Sequence, residues 1–295
     1  MKRRLYILLL PFIIISCNVD KTRVAQIDKI LDSLKTVFAP DLRTSVFNVT
    51  ADENNNGIII KGEVDNPEAK ETILSEIQGL SKRNLIDSIT VLPDPVLEPK
   101  VFGIVDVSVS SIYAAPRYSS ELVDQVLLGH TVTVLKESHG WFYVKSTPVA
   151  PLDEGYLGWI DSDNIVRIDS LTFAAYTATR KIIVTSIFAM VHSSPNGGTT
   201  ISDIVMADFL KPIAITAPSL KVELPDGRIG YVSKSDAQYY DDYLSTHKAT
   251  PEGIEKYAKE FLGFPYLWGG TSTKSLDCSG FVKTVFRMNG IVLPR

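Results

Sequence analysis

The chain has little cysteine. Its 295 positions hold only Cys17 and Cys278, far apart in sequence and in context. That excludes a disulfide-framed fold. It also argues against a zinc centre, which needs several Cys or His ligands at short spacing, and neither metal nor cofactor is expected. Positive charge is not in excess: 30 Lys and Arg stand against 34 Asp and Glu, a formal charge of -4. With no basic face to neutralise phosphates, nucleic acid is not an expected partner. Long apolar runs are missing too. The run from Leu5 to Ile15 falls far below the roughly 20 residues of a membrane-spanning helix. What remains is a globular composition, 45% hydrophobic and 22% charged, in a chain long enough for about two to four domains.

The clustered cations Lys2, Arg3 and Arg4 precede that short apolar run, the pattern of a secretory signal. The run ends in Ile14-Ile15-Ser16-Cys17. This ending resembles the lipobox of bacterial lipoproteins: two aliphatic residues, a small residue, then the acylated Cys. The resemblance implies a signal peptide over residues 1–16 and lipidation of Cys17. Several acyl chains anchor stably where one alone would not. The mature protein is therefore expected in the cell envelope, lipid-anchored to a membrane and facing the periplasm or exterior.

Residues 24–92 read as helix, two strands, helix, strand. Ile27, Ile30, Leu31 and Leu34 mark the first helix; Ile73, Ile77 and Leu80 mark the second. The order resembles the small α+β BON domain of envelope proteins. Within it, Asp52, Asn54, Asn56, Gly57 and Glu63 satisfy the calcium-loop pattern D-x-D/N-x-D/N-G-x5-E. Their flanks are strand-like rather than helical, and Asn56-Gly57 is a hairpin signal, so a plain hairpin is expected. Pro93, Pro95 and Pro99 then suggest a stiff linker over residues 93–104.

From Val105 onward the chain is strand-rich and repeats. Val109-Ser110-Ser111-Ile112-Tyr113 with Pro116 is echoed by Val184-Thr185-Ser186-Ile187-Phe188 with Pro195. Gly158-Trp159-Ile160 is echoed by Gly230-Tyr231-Val232. Short strands separated by Gly, Pro and Asp turns favour small barrels. The pattern resembles bacterial SH3b domains, at 105–168 and, more loosely, at 180–240.

Residues 250–295 carry the chemistry. Thr250-Pro251 looks like a helix cap and first turn. Then come Gly263-Phe264-Pro265-Tyr266-Leu267-Trp268-Gly269-Gly270 and Asp277-Cys278-Ser279-Gly280. Phe281, Val282, Val285 and Phe286 share one helical face, which puts Cys278 at or near a helix start. The unpaired N–H groups there stabilise negative charge, which suits a nucleophilic sulfur. The two motifs closely resemble those of the NlpC peptidase family, G-x-P-Y-x-W-G-G followed by D-C-S-G.

That resemblance implies a multidomain protein: a BON-like α+β domain, two SH3-like β-barrels, and the start of a papain-like α+β cysteine peptidase domain. It implies a hydrolase that cleaves the γ-D-glutamyl-L-diamino-acid bond of peptidoglycan stem peptides during wall turnover or recycling, with Cys278 as nucleophile and Tyr266 beside it. Glu121, Tyr156, Asp277 and Ser279 match positions that recognise the free amine of an N-terminal L-Ala. A monomer is expected. The family's catalytic His follows the Cys, whereas His130, His139, His192 and His247 all precede Cys278. The sequence therefore reads as a truncated and, as it stands, inactive form, its helix face without an evident partner. The alternative is a peptidoglycan-binding lipoprotein with a degenerate peptidase domain.

Overall fold

A computed structural model describes residues 18–80, 83–146 and 155–293; the signal-peptide stretch and Cys17 lie outside the described residues. The chain divides into two compact units, before and after the Val91-Leu92 bond. Among the described residues no helix is long and apolar enough to cross a membrane.

The first unit runs α1 (Asn18–Phe38), β1 (Phe47–Asn54), β2 (Gly57–Val64), α2 (Pro67–Leu80), β3 (Leu85–Val91). β2 lies in the middle of the sheet, antiparallel to β1 and parallel to β3. A parallel pair needs a crossover element, and α2 is that element. Its Ile73 and Ile77 pack with Ile27 and Leu31 of α1 on Ile58, Ile60 and Ile89 of the sheet. The calcium-like pattern is a hairpin. Asn54 pairs with Gly57 across the turn, Asn54 Oδ1 accepts the Asn56 N–H at 2.8 Å, and Asp52 forms an ion pair with Lys61. Glu63 sits at the other end of the hairpin, opposite Asn48.

The second unit opens with a short 3-10 helix, Pro95–Leu97. The stretch read as a linker is not a free spacer. Leu97 is buried in the core of the sheet that follows, the Asp94 N–H bonds Leu135 O at 2.8 Å, and the first strand already starts at Phe102. That sheet comprises β4 (Phe102–Val105), β5 (Val109–Tyr113), β6 (Leu122–Leu127), β7 (Thr131–Ser138), β8 (Trp141–Ser146), β9 (Leu157–Asp161) and β10 (Ile165–Ile168). Its strand order is β10-β4-β7-β8-β9-β5-β6.

A helix that the sequence did not announce, α3 (Ser170–Ala178), leads to a second sheet. Its strands are β11 (Ile182–Val184), β12 (Phe188–Ser194), β13 (Gly197–Val205), β14 (Phe209–Thr216), β15 (Ser219–Glu223), β16 (Ile229–Ser233) and β17 (Ala237–Tyr239). Its order, β17-β11-β14-β15-β16-β12-β13, is that of the first sheet with every strand replaced by its counterpart.

The repeat is real, but part of its apparent register is wrong. Tyr113 lies opposite Trp159 as His192 lies opposite Tyr231, so the Gly-Trp-Ile and Gly-Tyr-Val echoes are equivalent. Val105 exchanges backbone bonds with Gly129 and His130, and Val184 does so with Ala207 and Asp208. Val184 therefore corresponds to Val105, not Val109. Strands have a side-chain period of two, so an alternating run matches itself at neighbouring even offsets.

Four short elements and the site helix follow: α4 (Tyr240–Thr246), α5 (Pro251–Glu260), β18 (Thr271–Ser272), β19 (Ser275–Leu276) and α6 (Cys278–Arg287). Thr250 caps α5, its Oγ1 accepting the Gly253 N–H at 3.1 Å. The face of α6 does have a partner, contrary to the reading from sequence. Val285 and Phe281 pack with Tyr257 of α5, Phe261 just after it, Tyr243 of α4, and Leu127, Ile183 and Val205 from the two sheets. Those sheet residues stand far back in the sequence, which is why no local pattern revealed them. Val282 remains 43% exposed.

Candidate active site

Cys278 is the first residue of α6 and is exposed. Asp277, buried at 5% exposure, is the N-cap. Its Oδ1 accepts the Gly280 N–H at 2.7 Å and the Ser279 hydroxyl at 2.8 Å. Its Oδ2 accepts the Gly269 N–H at 3.0 Å. One carboxylate thus satisfies the helix start and ties the two sequence motifs together. Gly280 permits the close crossing behind the cysteine, since a Cβ there would lie 2.0 Å from Gly270 O.

The chain before the helix is a small ribbon. Thr271 pairs with Leu276 between β18 and β19. Tyr266 forms a parallel bridge to Leu276, with the Leu267 N–H bonding Leu276 O at 3.1 Å. This places Tyr266, exposed, on the strand-like segment beside the residues that lead into Cys278.

Glu121, just before β6, is brought to this segment: the Trp268 Nε1–H donates to Glu121 Oε1 at 3.0 Å. Tyr156 is half-buried. Its backbone pairs with Ser146 in both directions, the Ser146 N–H bonding Tyr156 O at 3.0 Å and Ser146 Oγ accepting the Tyr156 N–H at 2.9 Å.

Two residues that the sequence reading passed over hold the ribbon. Gln125 of β6 accepts the Thr271 N–H and the Ser272 hydroxyl on Oε1, and the Thr271 hydroxyl on its backbone oxygen, each at 3.0 Å. Lys274 reaches Asp203 of β13 at 2.7 Å and Ser108 at 2.8 Å. Burial raises the pKa of Asp203, but bonds from Lys274 and Ser108, with the Lys274 charge, outweigh it and hold the carboxyl below its ordinary value. Gln125 opens the Gln125-Val126-Leu127-Leu128-Gly129 stretch that resembles an SH3b strand, but only the three-dimensional structure brings it to the ribbon, and only that structure sets Lys274, in the ribbon's own turn, against Asp203.

The histidines are engaged elsewhere. His130 is buried, its Nε2 at 3.0 Å from Ala207 O. Burial, aided by the nearby Arg287 charge, pushes its pKa down to about 3. His139 pairs with Ser138, and His247 stacks on Tyr243 with its Nδ1 near Tyr243 O. His192 lies on β12, where its buried Nδ1 meets no hydrogen-bond partner. Among the described residues no cluster of three or more His, Cys, Asp or Glu side chains could hold a metal ion.

The chain is similar to known proteins over two of these regions. Residues 108–166 match the family model described as bacterial SH3 domain, and residues 263–295 match the NlpC/P60 family. The chain is 29% identical over 179 residues to a gamma-D-glutamyl-L-lysine dipeptidyl-peptidase of Bacillus cereus, covering 60% of this chain and 53% of the relative. It is 32% identical over 173 residues to the Bacillus subtilis protein of the same name, covering 58% and 54%. It thus spans about half the length of these curated relatives. A crystal structure of an NlpC/P60 family protein from Bacillus cereus superposes with a TM-score of 0.57 at 24% identity, covering 65% of this chain and 74% of that one. The chain therefore carries a bacterial SH3 domain over residues 108–166 and NlpC/P60 family sequence over residues 263–295.

Proposed function

We propose that the protein is a cell-envelope cysteine endopeptidase. Its substrate is the γ-D-glutamyl-L-diamino-acid bond of peptidoglycan stem peptides bearing a free N-terminal L-Ala. Lipidation at Cys17 anchors it, and the BON-like first unit and two SH3-like barrels stand between anchor and peptidase.

The observation that carries this reading is the placement of Cys278. It is exposed at the start of a helix, in a loop that the first sheet holds and to which that sheet brings a carboxylate, Glu121. Attack by Cys278 Sγ on the amide carbonyl forms a thioester and expels the diamino acid's amine; water then hydrolyses the thioester. Tyr266 flanks the bound peptide. Glu121 and Tyr156, with Asp277 and Ser279, receive the ammonium of L-Ala. A base must take the thiol proton and return it to the leaving amine; His130, His139 and His247 are engaged elsewhere and His192 lies on β12 of the second sheet, so the role is assigned to none of the four. The dipeptidyl-peptidase names of the relatives support the substrate class.

The test is hydrolysis of L-Ala-γ-D-Glu-diamino-acid peptides, free and N-acetylated, by the whole protein. Cys278→Ala abolishes turnover. Glu121→Ala removes most of a preference for the free amine; because Glu121 is exposed rather than buried, that preference is expected to be about fivefold rather than the roughly hundredfold that a desolvated carboxylate would give. Turnover by Cys278→Ala would refute the cysteine mechanism; equal cleavage of both peptides by the wild type would refute amine recognition.

A further inference from the structure

The contact between the first sheet and the ribbon goes beyond what substrate recognition requires. Three hydrogen bonds converge from Gln125 on Thr271 and Ser272. Thr271 is in turn the hinge of the site. It pairs with Leu276, the residue before Asp277, and its carbonyl accepts the Thr284 hydroxyl of α6 at 3.3 Å. Thr271 and Ser272 are themselves buried, at 7% and 1% exposure. The ribbon is only two residues a side, too short to hold its own position. Its geometry has to come from outside: its turn is tied through Lys274 to Asp203 and through the Thr273 hydroxyl on Ile187 O at 2.6 Å, and the side chain that ties its strand β18 is Gln125.

We infer that Gln125 is a positioning residue for Cys278: it sets where the ribbon, and with it the first turn of α6, lies relative to the rest of the site. The inference rests on the reading of Cys278 as nucleophile but is independent of Glu121 and amine recognition. Glu121 acts on one end of the substrate, so its loss discriminates between peptides. Gln125 acts on the attacking atom, so its loss slows every substrate alike.

The chemistry of the contact suggests the test. Both side-chain bonds end on Oε1, so an acceptor is needed there and the amide nitrogen is not. Gln125→Met keeps length and bulk without the acceptor; Gln125→Glu keeps the acceptor. In the whole protein, Gln125→Met lowers kcat at least about tenfold, as a misplacement of an ångström or less can. KM stays within about twofold, and the loss is equal for free and N-acetylated peptides. Gln125→Glu recovers most of the rate. Iodoacetamide labelling of Cys278, followed by peptide mass mapping across pH, needs no substrate, and its profile shifts in Gln125→Met and returns in Gln125→Glu.

A folded Gln125→Met with unchanged kcat and labelling profile overturns the inference. So does an equal loss in both variants, which would indicate general destabilisation. Should Gln125→Met fail to fold, Ser272→Ala, which removes one of the two bonds to Gln125 Oε1, is read by the same two measurements, and normal values there overturn the inference too. Activity in Cys278→Ala would instead remove the proposed function while leaving the labelling result to stand or fall alone.

Discussion

The two seven-stranded sheets have the same strand order and are used unequally. Their equivalent edge strands, β6 and β13, both reach the ribbon that carries Cys278. β6 does so through Gln125, whose partners include a backbone N–H, and through Glu121 beyond its start. β13 does so through an ion pair, Asp203 with Lys274, whose side chains are 37% and 44% exposed. A bond to a buried backbone donor is expensive to leave unmade, whereas a half-exposed ion pair is screened and weak. Topology was duplicated, but the ties of these two edge strands to the segment that carries Cys278 were not.

The inequality extends to the turn where the sheets meet. Gly129 and Ala207 occupy equivalent positions with φ of 75° and 72°. The next residues, His130 and Asp208, each reach across to the other sheet. His130 meets Ala207 O, while Asp208 accepts the Leu128 N–H at 3.2 Å and the Val205 N–H at 2.7 Å.

Exchanging the residues at this turn gives the largest expected effect. A Cβ on Gly129 would lie 2.1 Å from Phe209 O. Gly129→Ala should therefore cost about 3 kcal/mol, combining left-handed strain with a backbone clash. Ala207→Gly loses a buried methyl and gains chain entropy when unfolded, but it relieves strain, so it should stay within about 1 kcal/mol of the wild type. Urea unfolding of both variants measures the asymmetry, and equal costs would make the two turns interchangeable.

A smaller effect separates His130 from Asp208 by pH. The folded pKa of His130 is depressed from 6.5 to about 3 by burial. Its contribution is full above about pH 6.5 and is lost as pH falls through the window down to about 3, where the unfolded chain binds a proton that the folded one refuses. Between pH 7.5 and 5 that amounts to about 2 kcal/mol. Burial raises Asp208 well above its ordinary value, which acts in the opposite sense: stability falls as pH rises above the usual carboxylate range. The difference in slope between wild type and His130→Phe isolates the His130 part. Identical slopes would show that the imidazole titrates freely in the folded protein.

The smallest effect is at the Lys274–Asp203 ion pair, which the Thr273 hydroxyl on Ile187 O at 2.6 Å backs up beside the same sheet. Lys274→Met should cost less than about 1 kcal/mol, and the cost should fade in high salt, as for other exposed pairs. A loss as large as that of Gln125→Met, or one that salt leaves untouched, would mean that the two sheets hold the ribbon equally.

Much of this was legible in the sequence. The periodicity of Ile27, Leu31, Ile73 and Ile77 foretold both helices of the first unit. Asn56-Gly57 foretold its hairpin, and the Asp277-Cys278-Ser279-Gly280 motif foretold a helix beginning at the cysteine. These are local signals, carried by neighbours in the chain. The register of the repeat was misjudged at Val184, because alternation alone cannot fix an even offset. Gln125 stood in a stretch that resembles an SH3b strand and Lys274 in a turn, but nothing local marked either as a tie to the ribbon.

The sequence by itself determined the elements of the first unit and their order, the strand-rich repeat, and the helix that begins at Cys278, because helix periods, strand alternation, caps and turns act over a few residues. Tertiary structure decided what those residues face. The apolar side of α6 found its partners in Leu127, Ile183 and Val205, and Glu121 found Trp268 across 147 positions. The ribbon before Cys278 was set against Gln125. Such contacts depend on where two distant strands end after packing, and side-chain period carries no record of that.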